Sequence, residues 1–101
     1  MIVLDSFSHP VGGFPVTVTV RAEQDVLDRD GEGVLLWCSE IVVAAQSSTL
    51  YWPRRFPAYG EFDTLADLRA AHAAHSRDAI VRLANQGGAA LDLPPTSTQG
   101  V

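Results

Sequence analysis

The chain has 101 residues, twelve carboxylates against seven cations, all of them arginine, and a formal net charge of −5. A length of this order supports a single hydrophobic core, and a hydrophobic fraction of 47% excludes a chain disordered throughout. The negative balance argues against a nucleic-acid partner, whose phosphates it repels at long range.

Cys38 is the single cysteine, so no internal disulfide is expected. The N-terminal stretch lacks a basic region and a secretory apolar run. No segment approaches the roughly 20 apolar residues of a membrane helix. The expected setting is the cytoplasm, without membrane association. The bias toward Ala, Arg, Asp, Gly and Val fits a high-GC bacterial or phage genome.

In chain order, Ile2-Val3-Leu4 reads as a short edge strand, and the Pro- and Gly-containing stretch up to Pro15 as a loop. Residues 16–22 alternate strictly: Val16, Val18, Val20 and Ala22 share one face, Thr17, Thr19 and Arg21 the other. That is a half-buried strand. A second apolar strand runs over Val34–Ala45. Between the two lies "DVLDRDGEG", residues 25–33. Asp30-Gly31 suits the two central positions of a tight hairpin, both of which need positive φ. Leu27 then faces Val34, Val26 faces Leu35, Arg21 faces Glu40, Val20 faces Ile41, Val18 faces Val43 and Val16 faces Ala45. A slip of one residue would turn every side chain to the wrong face. A bulge is expected where Gln24 meets Trp37.

The same acidic stretch also resembles a calcium loop, with Asp28, Asp30 and Glu32 at alternate positions and Gly33 sixth. Position twelve, which should be a bidentate Glu, is Ser39, and no helical pattern flanks the loop. The turn is the better reading. A nucleic-acid mimic would need Asp5, Asp25, Asp28, Asp30 and Glu32 along one stripe.

Residues Thr49 to Trp52 suggest a short third strand that Pro53 stops, with irregular chain after it. Thr64 to Gln86 has helical character, with Thr64 or Asp63 as N-cap and Gly87-Gly88 closing the end. Leu65, Leu68, His72, Ala79 and Leu83 fall on one stripe, with Ile80 at its margin. The predicted fold is α+β: a small antiparallel sheet built on a hairpin over residues 16–45, packed by one C-terminal helix over 64–86, in a single domain of residues 1–93 with a flexible tail over 94–101. One helix leaves the second sheet face, with Leu27, Val34, Leu36, Val42 and Ala44, open to a partner. A homo-oligomer formed through that face is the economical expectation.

Three groups of residues bear on function. His72 and His75 are three apart and Asp78 is three further, a spacing that brings imidazoles and a carboxylate to one face of a helix. Such a cluster suits a metal ion or a hydrolase-type site, but it lacks the Glu of a zinc-protease helix and a third histidine. Structural roles for both histidines compete with it. Cys38 sits mid-strand near Glu40, a setting that disfavours a thiolate nucleophile. Finally, "YWPRRFPAYGEF" gathers Tyr51, Trp52, Phe56, Tyr59 and Phe62 around Arg54 and Arg55. Aromatics interleaved with arginine are the raw material of interface hot spots. The alternative is that the rings fill the small core. Together these features predict a small acidic protein–protein interaction module, a regulator, inhibitor or assembly subunit, working through Tyr51, Trp52, Arg54, Arg55, Phe56 and Tyr59. No cofactor is expected.

Overall fold

The computed structural model describes residues 1–45 and 53–91. Within them lie four strands and two helices: β1 (Ile2–Val11), β2 (Phe14–Arg29), β3 (Glu32–Ala45), β4 (Arg54–Phe62), α1 (Leu65–Ala73) and α2 (Arg77–Gln86). The strands form one antiparallel sheet in the order β1-β2-β3-β4. The expected third strand at Thr49–Trp52 and the tail at 94–101 lie outside the described residues. No helix among those described is long and apolar enough to cross a membrane.

Two-residue turns with positive φ at both positions join the first three strands. Gly12 and Gly13 adopt φ of 57° and 85°, and Asp30 and Gly31 adopt 56° and 83°. Their twist matches that of the strands they join, so each turn fixes a register. Val11 faces Phe14 across the first. Arg29 faces Glu32 across the second, and the ladder runs unbroken to Val16 opposite Ala45. Leu27 faces Val34 and Val20 faces Ile41, as a reversal at Asp30-Gly31 dictates. No bulge interrupts the ladder at Gln24 and Trp37.

β1 runs well past the expected Ile2–Leu4, and β4 occupies a stretch expected to be irregular, because their prolines sit where they cost no ladder bond. In an antiparallel ladder, bonded and non-bonded pairs alternate. Val11 and Phe14 flank a two-residue turn and so form a bonded pair, which leaves Pro10 opposite Pro15 at a non-bonded one. Pro57 faces Glu40, whose amide and carbonyl point toward Arg21 on β2. Its missing N–H therefore falls on the open edge of β4, where strands tolerate proline.

Val18, Val20, Ile41, Val43 and Phe56 form the sheet side of the core, and Ile80, Val81, Ala84 and Leu91 roof it. The single helix expected over 64–86 is two helices. Thr64 caps α1 by accepting from the Asp67 amide at 3.1 Å, and Ser76 caps α2 by accepting from Ala79 at 3.1 Å. A serine hydroxyl satisfies a free helix-end amide well and gains little inside a helix. The break re-phases the apolar stripe. Leu68 is buried on α1, but on α2 the buried side chains are Ile80, Val81 and Ala84, with Ala79 and Leu83 only half-buried.

The opposite sheet face lacks the expected unbroken apolar patch. Leu36 is 1% exposed. Leu27, Val34, Val42 and Ala44 are half-buried. Arg21 Nε donates to Glu40 at 2.6 Å, and the Ser6 and Thr19 hydroxyls meet at 3.1 Å, so polar groups occupy that face as well.

Past α2, Asn85 grips Leu91 through both its amide and its carbonyl, at 2.8 and 2.6 Å, and so seats Leu91 on the core. Gly87 permits this close return: a β-carbon there would meet Phe56 Cδ1 at 2.7 Å. Gly87→Ala should therefore destabilise the protein by about 1–3 kcal/mol in urea unfolding, as overpacking does. Combining it with Phe56→Leu should restore part of the loss, whereas independent additive costs would deny the contact.

Candidate functional site

The aromatic–arginine segment divides. Tyr51 and Trp52 lie outside the described residues. Phe56 is 5% exposed and belongs to the core, so it is not available as a contact residue. Arg54 and Arg55 are exposed at the start of β4, with the Arg54 guanidinium 5.3 Å from the Phe56 ring centre. Phe62 is half-buried opposite Trp37.

Tyr59 turns inward. Between Cys38–Glu61 and Glu40–Pro57 the register of β4 shifts, so Ser39 alone faces Ala58, Tyr59 and Gly60. Gly60 takes φ of 97° within this bulge. The Tyr59 amide donates to the buried Ser39 hydroxyl at 2.9 Å. Bulges re-aim side chains, and here the Tyr59 ring lies 4.6 Å from that of His75 and 5.7 Å from that of His72, centre to centre. Burial, with the Asp5 charge adding to it, pushes the Tyr59 phenol up to about 12. The phenol therefore keeps its proton at neutral pH, and its oxygen shares a hydrogen bond with His72 Nδ1 at 2.7 Å. His75 Nδ1 donates to the Ala71 carbonyl at 2.7 Å.

Asp5 and Arg77 complete this group. Arg77 donates from Nε at 3.1 Å and from a terminal nitrogen at 3.0 Å to the two oxygens of Asp5, and lies 4.9 Å from the Phe7 ring centre. The paired guanidinium holds the Asp5 carboxyl below its ordinary range, helped by the Ser6 amide. The network ties α2 and β1 together through one ion pair, and β4 and α1 through Tyr59 and His72.

This arrangement does not serve the metal reading. The helix break places His72 on α1, His75 between the helices and exposed Asp78 in the first turn of α2, so the three no longer share one helical face. Among the described residues no group of three His, Cys, Asp or Glu side chains could hold a metal ion. The acidic residues of the calcium reading form no such group either. Asp28, Asp30 and Glu32 flank a two-residue reversal, and Ser39 is engaged by Tyr59. Of the acids that a nucleic-acid mimic would need, Asp5 is already bound to Arg77. For Cys38, burial pushes the thiol upward, and Glu61, Asp25 and Glu23 add to it, which opposes a nucleophilic role.

A different feature stands clear of the core. β1 ends opposite Ala22 and β4 ends opposite Trp37. Beyond those points, among the described residues, Asp25–Arg29 and Glu32–Leu36 pair only with each other, as an arm roughly 15 Å long at ordinary strand rise, with Leu36 buried at its root. Val26 and Leu35 face one another on it and remain 64% and 56% exposed. Gly33 lets Val26 lie flat, because a β-carbon there would sit 3.0 Å from Val26 Cγ1. At the base of the arm Glu23, Asp25, Cys38, Ser39 and Glu40 line a cleft of about 120 Å³. The hairpin register expected from Asp30-Gly31 does set Val26 opposite Leu35, but nothing in that register tells how exposed the pair is. The missing signal was the length of the outer strands, which decides where the inner pair loses its neighbours.

Comparison with protein-family models, with curated proteins and with solved structures finds no match to this chain.

The Asp5–Arg77 pair gives a pH test. Asp5 has a folded pKa below the ordinary carboxylate value, so its stabilising effect is present above that ordinary value and is lost as pH falls through the folded pKa. Asp5→Asn should thus lower the urea midpoint at about pH 7 and make no difference near about pH 2. A deficit that persists undiminished in acid would show that the carboxylate charge is not what holds α2 to β1.

Proposed function

We propose that the chain is a protein–protein interaction module without catalytic chemistry, a small regulator, inhibitor or assembly subunit, that engages its protein partner through the β2–β3 arm. The observation that carries this reading is the exposed Val26–Leu35 pair on two strands that extend beyond the ends of β1 and β4. A free two-stranded ribbon has marginal stability in water. An apolar cross-strand pair left on such a ribbon is area that a partner would bury. Arg54 and Arg55, exposed on the β4 edge, are available for further contacts. The Tyr59–His72 and Asp5–Arg77 contacts are better read as structural ties, because their polar atoms are engaged with one another. A homodimer through the second sheet face has less support, given the polar groups on that face.

The test is affinity capture from the native host with wild-type protein and with a Val26→Thr, Leu35→Thr variant. Threonine keeps strand propensity and removes apolar area. Loss of even one such buried side chain is worth about 1.5–3 kcal/mol, or more than tenfold in affinity. The captured partner should be lost while the thermal midpoint stays within a few degrees. Undiminished capture by the variant would remove the arm from the site, and a collapse of the midpoint would place the pair in the fold rather than in an interface.

A further inference from the structure

We propose, resting on the reading of the arm as a docking element, that its partner is an extended basic segment of another protein, which adds as a strand to the outer edge of β2 and sets arginine or lysine side chains against the acidic cleft at the arm's base.

The edge follows from the register. Arg29 and Glu32 flank the two-residue turn and form a bonded pair, so Leu27, Asp25 and Glu23 also bond inward to β3. The amides and carbonyls of Gln24, Val26 and Asp28 must then point outward, past the end of β1. One of these groups is already covered: the Val26 amide donates to the carboxylate of its neighbour Asp25 at 3.0 Å. Unpaired edges invite strand addition, and charge on the edge restricts what is added.

Charge selects the occupant. Glu23, Asp25, Asp28, Asp30 and Glu32 set five carboxylates on the arm and its base against one guanidinium, Arg29, which leaves there four of the chain's five net negative charges. Two arms meeting edge to edge would bring these sets together, which disfavours a second copy. A neutral strand would have to strip Asp25 from the Val26 amide and leave the carboxylate without a counterpart. A basic strand offers the displaced carboxylate a cation, and charge-assisted bonds of that kind are among the stronger ones. The cleft of about 120 Å³ spans β2 and β3 beside that edge, with Glu23 and Asp25 open and Glu40 already held by Arg21.

The pleat then specifies the pattern. Val26 and Leu35 share one side of the arm, and Glu23 and Asp25 share the other. A strand added beside β2 therefore matches both sides when apolar and basic residues alternate.

The probe is a labelled, blocked eight-residue peptide of alternating Arg and Val, with Ser–Val and Glu–Val peptides as controls. Its binding is followed by fluorescence anisotropy and by amide shifts in the full chain. The Arg–Val peptide should bind at least tenfold tighter than the Ser–Val peptide, weaken with added salt, and shift amides of residues 23–29. A Glu23→Gln, Asp25→Asn variant should lose that preference, while Asp63→Asn with Asp67→Asn, equal in charge but on another part of the surface, should keep it. Equal binding of the Ser–Val peptide, shifts centred on β4 instead, equal losses in both variants, or no binding would each overturn the proposal. If no peptide binds but the Val26→Thr, Leu35→Thr variant still loses the native partner, strand addition fails and the docking role of the arm survives. If that variant also retains the native partner, both readings fall.

Discussion

Two consecutive residues, Asp30 and Gly31, reverse the chain with positive φ at both positions, and the rest of the sheet inherits its arrangement from them. A two-residue turn permits one register. That register sets Val18 and Val20 beside Val43 and Ile41 on the side the helices cover, and Thr17, Thr19 and Arg21 on the other. The same turn decides which backbone groups of β2 and β3 point inward and which point out. A shift of one residue would bury Thr19 and Arg21, expose the valines, and leave the roof of Ile80, Val81 and Ala84 nothing apolar to cover.

The mismatch in strand length is the second determinant. β2 has 16 residues and β3 has 14, whereas β1 has 10 and β4 has 9. A core forms where all four are present. Where β1 and β4 stop, the inner pair continues as a ribbon carrying most of the net charge and the exposed Val26 and Leu35. The break between α1 and α2 belongs to the packed end. It lets Arg77 reach Asp5 on β1 while His72 meets Tyr59 on β4, so contacts far apart in sequence close the roof at two corners. The packed end is therefore apolar and tied down, and the projecting end is acidic and exposed.

How far the sequence reveals this depends on which interaction sets each element. The central hairpin is legible because strict alternation in Val16–Ala22 and an Asp-Gly pair act locally and agree. β1 and β4 are not, because Pro10 and Pro57 look like strand breakers until one knows that each falls at a non-bonded position. The single helix fails at Ser76, whose hydroxyl competes as a cap, and no periodicity in "HAAHSRD" distinguishes a cap from an exposed helical serine. Phe56 and Tyr59 could be placed only through Gly87 and Ser39, contacts that span tens of residues. The arm was half visible: its pairing could be computed, but its exposure depends on where other strands end.

The central claim is that the Asp30-Gly31 register continues to the end of the arm and keeps Val26 opposite Leu35 clear of the core. Nuclear Overhauser contacts between α-protons report it directly, because they are strong only at non-bonded antiparallel pairs, where the α-carbons approach to about 4.5 Å. The account predicts strong cross-peaks for Val26 with Leu35, Gln24 with Trp37 and Asp28 with Gly33 in the free protein. Cross-peaks displaced by one residue, such as Val26 with Leu36, or none beyond Ala22, would contradict it.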